Sequence, residues 1–281
     1  MRVVMKNYSD LTDYFGILDK NTVVKDPAKP IKMKNIKGEI EFSNVSFSYK
    51  EGKQNALKKF SLRIRAGQSV AFVGKSGVGK TTIIKLLLRF FDVNSGSITV
   101  DGVDIRKFAK DELRSHLGVV PQEPVMFNNT IAYNIGYGAT RVSKREIEAA
   151  AKMAYLDEFI AELPKGYKTN VGERGVKLSG GQKQRLAIAR MILSDPDIVI
   201  FDEATSQLDS ESEKYIQDAF WEASENKTTI IIAHRLSTVV KADKIVVMDE
   251  SGIAEIGSHR ELVNKKDGLY KKYWDLQVEE I

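Results

Sequence analysis

Ser69-Val70-Ala71-Phe72-Val73-Gly74-Lys75-Ser76-Gly77-Val78-Gly79-Lys80-Thr81-Thr82 decides the fold. The run before Gly74 reads as a buried strand, the glycines as a turn, and Ile83 to Phe91 as the helix that follows. Strand, Gly-x-x-x-x-Gly-Lys-Thr and helix together make a phosphate loop in the context it requires. Glycines at 74, 77 and 79 permit positive φ and a close approach of backbone N–H groups, and the helix start adds the positive end of its dipole. Gly74, Lys75, Ser76, Gly77, Val78, Gly79, Lys80, Thr81 and Thr82 are therefore the candidate phosphate-binding set. In such a loop the lysine neutralises β- and γ-phosphates and the first threonine ligates Mg²⁺ through its hydroxyl. The competing account is a glycine-rich connection with a solvated lysine, which does not explain the full pattern and its flanks.

Composition bounds the rest. With 281 residues, 42% of them hydrophobic, the chain can bury a large core as one large domain or two small ones. Basic residues number 43 against 38 acidic, a net charge of +5 spread without runs, so a nucleic-acid partner is not expected. The absence of cysteine excludes a disulfide framework and fits the cytosol. No run of 18 apolar residues offers a membrane span, and no signal peptide opens the chain.

Tyr8, Leu11, Phe15 and Leu18 fall at three- and four-residue steps, predicting a short helix before a looser stretch with Pro27 and Pro30. From Gly38 the pattern changes. Glu39 to Tyr49 alternates apolar and polar residues, as do Leu62 to Arg65 and Gly96 to Gly102, which predicts half-exposed antiparallel strands. Leu117 to Val120, Ile198 to Phe201, Ile230 to Ala233 and Ile245 to Met248 are instead short continuous apolar runs, suited to a parallel sheet covered on both faces. Between the second and third central strands lies a mostly helical insertion, with helices predicted over Arg145 to Ala154 and Gln182 to Leu193.

What ends the apolar runs is informative. Gly74, Gln122 after Pro121, Asp202-Glu203, and His234 each follow one, and ligands of open α/β sheets sit outside the carboxyl ends of strands. Phosphoryl transfer asks a protein for positioned charge, a metal and an oriented water. Asp202 suits the Mg²⁺ shell and Glu203 the general base that polarises the attacking water. His234 suits a contact to that water or the γ-phosphate, and Gln122 one to Mg²⁺ and water. Each has a plainer role: Asp202-Glu203 as a helix cap, His234 as a structural histidine, Tyr49 as strand packing in place of adenine stacking.

Leu178-Ser179-Gly180-Gly181-Gln182-Lys183-Gln184-Arg185 carries a capping box, Ser179 with Gln182 three residues on. Two glycines exceed what a cap needs and cost helix stability, so something is expected to approach the backbone there, a second anion-binding helix start.

These residues resemble the nucleotide-binding domain of an ATP-binding cassette (ABC) transporter of the exporter type, over residues 38 to 275 and in order. Gly74 to Thr82 resembles the Walker A loop, Gln122 the Q-loop glutamine, and Leu178 to Gln182 the signature. Phe201-Asp202-Glu203 resembles the end of Walker B, Ser206-Gln207-Leu208-Asp209 the D-loop, and His234 the switch histidine. Tyr49 falls at the adenine-stacking position, and Thr169 to Gly175 resembles the X-loop that faces the membrane domain. Gln207 stands where alanine is usual and Lys183 where arginine is usual.

The resemblance implies an α/β fold: a RecA-like P-loop NTPase core with a mainly parallel sheet, an antiparallel β subdomain, and a helical subdomain over about 123–190. It implies a tail from a membrane domain over 1–37 and the nucleotide-binding domain over 38–281, the piece being an excised domain or else a separately encoded subunit. The implied function is an ATPase that drives transmembrane export. ATP and Mg²⁺ are its cofactors, a second such domain and a transmembrane domain its partners, and the cytoplasmic face of the cell membrane its place. Catalysis would fall to Glu203, His234, Gln122 and Lys80. Thr81, Gln122 and Asp202 would hold the metal. Tyr49, the Walker A residues and Gln122 would bind nucleotide, with Ser179, Gly180, Gly181, Gln182 and Asp209 meeting it from a second chain. A non-transport ABC ATPase of translation or DNA repair is the alternative, although the double cassette or long coiled-coil insertion typical of those proteins is missing. A regulatory protein without turnover is a third class, disfavoured by Glu203 and His234.

Overall fold

The short apolar runs lie side by side in one sheet. The computed structural model describes residues 11, 15, 24–49, 56–139, 141–202, 210–233 and 235–279. Its larger sheet contains β3 (Ser69–Val73), β6 (Leu117–Val120), β7 (Ile198–Asp202), β8 (Thr228–Ile232), β9 (Lys244–Asp249) and β10 (Gly252–Gly257), in the order β10-β9-β3-β8-β7-β6. All neighbours are parallel except β10, which returns antiparallel on β9. The apolar runs are continuous because alternate residues feed two cores. Ala71, Phe201, Ile231 and Val247 face the helices, whereas Phe72, Ile200, Ile232 and Val246 face the second sheet.

That second sheet is antiparallel, in the order β2-β1-β4-β5, built from β1 (Ile40–Phe47), β2 (Leu57–Ile64), β4 (Ser95–Val100) and β5 (Val103–Asp104). Its alternation is not strict, because a bulge shifts the register between Phe42 and Val45, with Asn44 at φ 49°. The extra residue resets the inward face, so Ile40, Phe42, Val45 and Phe47 are all buried. Between the two sheets runs α1 (Lys80–Leu87), which buries Ile83, Ile84, Leu86 and Leu87. The expected helix to Phe91 stops short: Arg89 takes φ 53° and the Arg114 Nε donates to Leu88 O at 3.0 Å, satisfying a helix-end carbonyl.

Helix α2 (Lys110–Ser115) precedes β6, and the insertion between β6 and β7 holds α3 (Ile131–Gly136), α4 (Lys144–Met153), α5 (Asp157–Glu162) and α6 (Gly180–Ser194). Helix α7 (Ser210–Ala223) joins β7 to β8, and α8 (His259–Val263) and α9 (Leu269–Glu279) complete the described chain. Of the first predicted helix, Leu11 and Phe15 are helical and exposed, while Tyr8 and Leu18 lie outside the described residues.

Residues 24–37 are irregular yet tied to the domain. Arg89, 3% exposed, donates to Lys25 O and Phe108 O, each at 2.9 Å, and to Asp92 Oδ1 at 3.1 Å. Asp26 Oδ1 accepts the Lys110 N–H at the start of α2, and Met33 is buried. Replacing Arg89 strands buried carbonyls, so Arg89→Met should lower unfolding stability by about 3 kcal/mol. Urea denaturation checks this, with faster amide exchange expected over residues 25–33; an unchanged midpoint contradicts the anchoring role.

Candidate functional site

Strand register gathers the predicted groups at one edge. Phe72 pairs with Ile232, Ile232 with Asp202, and Phe201 with Val120, so Gly74, Ala233, Asp202 and Pro121-Gln122 all leave the sheet at its carboxyl side. The turn after β3 is pinned at both ends. A Cβ on Gly74 would sit 2.3 Å from Met248 O, and one on Gly79 would sit 2.5 Å from Ala56 O, with φ values of 147° and 103° that other residues rarely adopt. Gly79 is the N-cap of α1 without a side-chain cap, and no acidic residue occupies the first turn. The helix therefore opens with unpaired N–H groups and an uncompensated positive dipole end. Lys75, Ser76, Gly77 and Thr81 are exposed there, Val78 is half-buried, and Thr82 is buried.

Lys80, 5% exposed, folds back over this loop, its Nζ donating to Gly74 O at 2.6 Å and Lys75 O at 2.9 Å. Burial lowers its pKa below the usual lysine range, and the negative charge of Asp202 opposes that shift. Asp202 thus acts electrostatically across the strand lying between β3 and β7. Tyr49 sets its hydroxyl 3.2 Å from Thr82 Oγ1 and meets Phe47 and Phe91 edge to face, with ring centroids 4.9 and 5.4 Å away. The predicted aromatic is thereby fastened to the phosphate-loop helix.

The site suits a metal–nucleotide pair. Thr81 and Asp202, with the exposed Gln122, offer a hydroxyl, a carboxylate and an amide oxygen, the hard donors that Mg²⁺ takes. Among the described residues no cluster of three His, Cys, Asp or Glu could hold a metal. Such a sparse set fits an ion that keeps waters and shares its ligands with phosphates. Glu203, Gln207, Asp209 and His234 lie outside the described residues.

The second helix start has both halves of its capping box: Gln182 N–H donates to Ser179 Oγ at 3.2 Å, and Ser179 N–H to Gln182 Oε1 at 2.9 Å. Gly180 is exposed. Gly181 is buried, and a Cβ there would lie 3.0 Å from Ser212 Cβ of α7, so a larger residue would press on that helix.

Helix α6 stands beside β6, where Gln184 Nε2 donates to Gln122 O at 2.8 Å. β6 and β3 are three strand spacings apart, about 14 Å. Gln184, 3% exposed, was not among the predicted residues; its trace in the sequence is a polar residue opening the stripe Gln184, Ala187, Ile188, Met191 at helical spacing.

Thr169 to Gly175 is stitched to the chain beyond Gln122. Val171 N–H donates to Asn129 O and Ile131 N–H to Thr169 O, each at 3.0 Å, and a Cβ on Gly175 would lie 2.9 Å from Met126 Cγ. Beside this seam Val125, Tyr133, Tyr137 and Val176 are exposed, at 67%, 46%, 46% and 75%. Among the described residues no helix is long and apolar enough to cross a membrane.

Comparison with known proteins agrees with this geometry. The family model described as ABC transporter matches residues 57–206. ATP-binding cassette sub-family B member 6 of Mus musculus is 49% identical over 98% of this chain and 32% of its own length. The heavy metal tolerance protein of Schizosaccharomyces pombe is 48% identical over 92% of this chain and 31% of its own. A solved bacterial Atm1-family ABC exporter with ATP bound superposes with a TM-score of 0.88 at 45% identity, over 99% of this chain and 48% of that one. The chain spans about a third of these curated relatives. With its RecA-like core, antiparallel sheet and helical insertion, it belongs to the ABC transporter family and is homologous to the exporters of sub-family B and the Atm1 group.

Proposed function

We propose that this chain is the ATP-hydrolysing motor of an exporter, acting at the cytoplasmic face of a membrane. The observation that carries the reading is the closed phosphate loop, with Lys80 seated on its carbonyls and Asp202 at the end of the next strand but one. Lys80 turns from Gly74 and Lys75 to neutralise β- and γ-phosphate charge, and the open turn of α1 offers its N–H groups to the same oxygens. Thr81, Asp202 and Gln122 would hold Mg²⁺, which would supply positive charge against the phosphates. Glu203 takes the proton of the attacking water, and His234 positions that water and the γ-phosphate. Tyr49 stacks on adenine.

The spacing of about 14 Å between β3 and β6 supports a site shared by two chains. Lys80 follows β3 whereas α6 packs by β6, so the first turn of α6 serves the nucleotide of a head-to-tail partner, with Asp209 beside it. The surface formed by Val125, Tyr133, Tyr137 and Val176 along the Thr169 to Gly175 seam supports docking of a transmembrane domain. Residues 1–37 then read as the tail from that domain, 38–281 as the nucleotide-binding domain, and about 123–190 as its helical subdomain. Non-transport ABC ATPases are not favoured, since the relatives named above are exporters and transporters.

Lys80→Ala should abolish turnover and weaken ATP binding; unchanged hydrolysis removes the loop from the mechanism. Glu203→Gln should lower kcat about 10²–10³-fold while ATP binding persists, and should lengthen the life of an ATP-bound dimer measured by size exclusion. Shared sites are tested by mixing Lys80→Ala with Gly180→Asp. The second change puts a carboxylate at an exposed first-turn position where helix stability does not suffer. Each variant alone has two defective sites, whereas a mixed dimer keeps one intact. Part of the activity should return; mixed dimers as inactive as their components contradict independent shared sites.

A further inference from the structure

The chain leaving β8 is held from three directions. Ala233 N–H donates to Phe72 O at 3.2 Å, tying the exit to β3. Arg235 pairs with Glu213 of α7, whose carboxylate also accepts from Gln217 Nε2 at 3.1 Å; Gln217 reaches Thr238 Oγ1 at 3.3 Å. The third tie comes from the far end of the sequence. Leu236 opens a short 3₁₀ turn, Leu236–Val239, whose N-cap Arg235 gives no side-chain cap, and Leu236 N–H donates instead to Gln277 Oε1 of α9 at 2.8 Å. In sequence, His234 falls between the first of these anchors and the other two.

Helix α9 also borders the phosphate loop. Tyr273 and Gln277 line a cavity of 270 Å³ together with Gly74, Lys75, Ala233 and Leu236. The helix does not need Gln277 to stay in place. Tyr270 is fully buried in the core, its hydroxyl lies 2.8 Å from His259 Nδ1, and Glu255 accepts the N–H groups of Leu269 and Tyr270 at 3.1 and 3.0 Å. The Gln277 carbonyl accepts from a backbone donor two residues past His234 in sequence.

We propose that Gln277 is a positioning residue for hydrolysis: its side-chain oxygen caps the turn at Leu236 and thereby fixes the course of the chain leaving β8, the segment to which His234 belongs in sequence. This rests on the ATPase reading given above. The carbonyl acts through backbone geometry, so its loss is expected in the chemical step more than in binding. The donor at Leu236 is an orphan N–H of a helical turn, and an acceptor of the same length restores it.

The experiment compares the 281-residue chain with Gln277→Leu, which keeps bulk and loses the acceptor, and Gln277→Glu, which keeps the acceptor. Steady-state ATP hydrolysis, binding of a fluorescent ATP analogue and thermal unfolding are measured on each. Gln277→Leu should lose about tenfold in kcat with KM, analogue affinity and Tm near those of the unaltered chain, and Gln277→Glu should recover most of the rate. A Leu variant with normal kcat overturns the proposal. So does a Leu variant whose affinity and Tm fall together with kcat, or a Glu variant no faster than the Leu one, since either marks mere loss of packing. Absence of turnover in the unaltered chain overturns the ATPase reading itself, and the positioning role with it.

Discussion

A buried ammonium must be paired, and the phosphate loop is shaped by that requirement. Lys80 is nearly inaccessible, and desolvation of its charge is met by two carbonyls only five and six residues earlier in the chain. The loop can curl far enough only because the turn passes close to the Met248 and Ala56 carbonyls, where a side chain would collide. Asp202 adds a negative charge from a strand end held level by β8. Loop closure, sheet order and lysine charge are thus one constraint: shifting β7 or β8 by one residue would move Asp202 along the edge at which the phosphate loop lies.

The same sheet divides labour between its faces. One face packs the antiparallel sheet and α1 and so steadies Tyr49 and the phosphate loop; the other packs α6 and α7, which carry the second helix start. A covered sheet is stiff, and the chemistry hangs from segments at its edge, where backbone groups are open. Gln184 crosses between these territories by holding the backbone of Gln122, so the helix that opens at Ser179 is tied to the segment after β6. Arg89 does the same for residues 24–37, fastening them to the end of the phosphate-loop helix.

What the sequence by itself determined is local. A strand, a glycine turn and a helix within fourteen residues announce the phosphate loop, since each part is set by neighbours a few positions away. The capping box at Ser179 and Gln182 is legible for the same reason, and its bonds stand as expected. Continuous apolar runs against alternating ones separated the two sheets before any strand was paired, because a strand covered twice cannot alternate. Tertiary structure decided what depends on distant partners. Strand order, the end of α1 at Arg89 and the bulge at Asn44 follow from contacts that no local window contains. Gly181 packs closely against Ser212 on another helix. Gln184 and Gln277 look like ordinary helix polars, and their bonds span 62 and 41 residues. A side chain's local pattern states only whether it is polar; which backbone group it satisfies is settled when the elements pack and water is excluded.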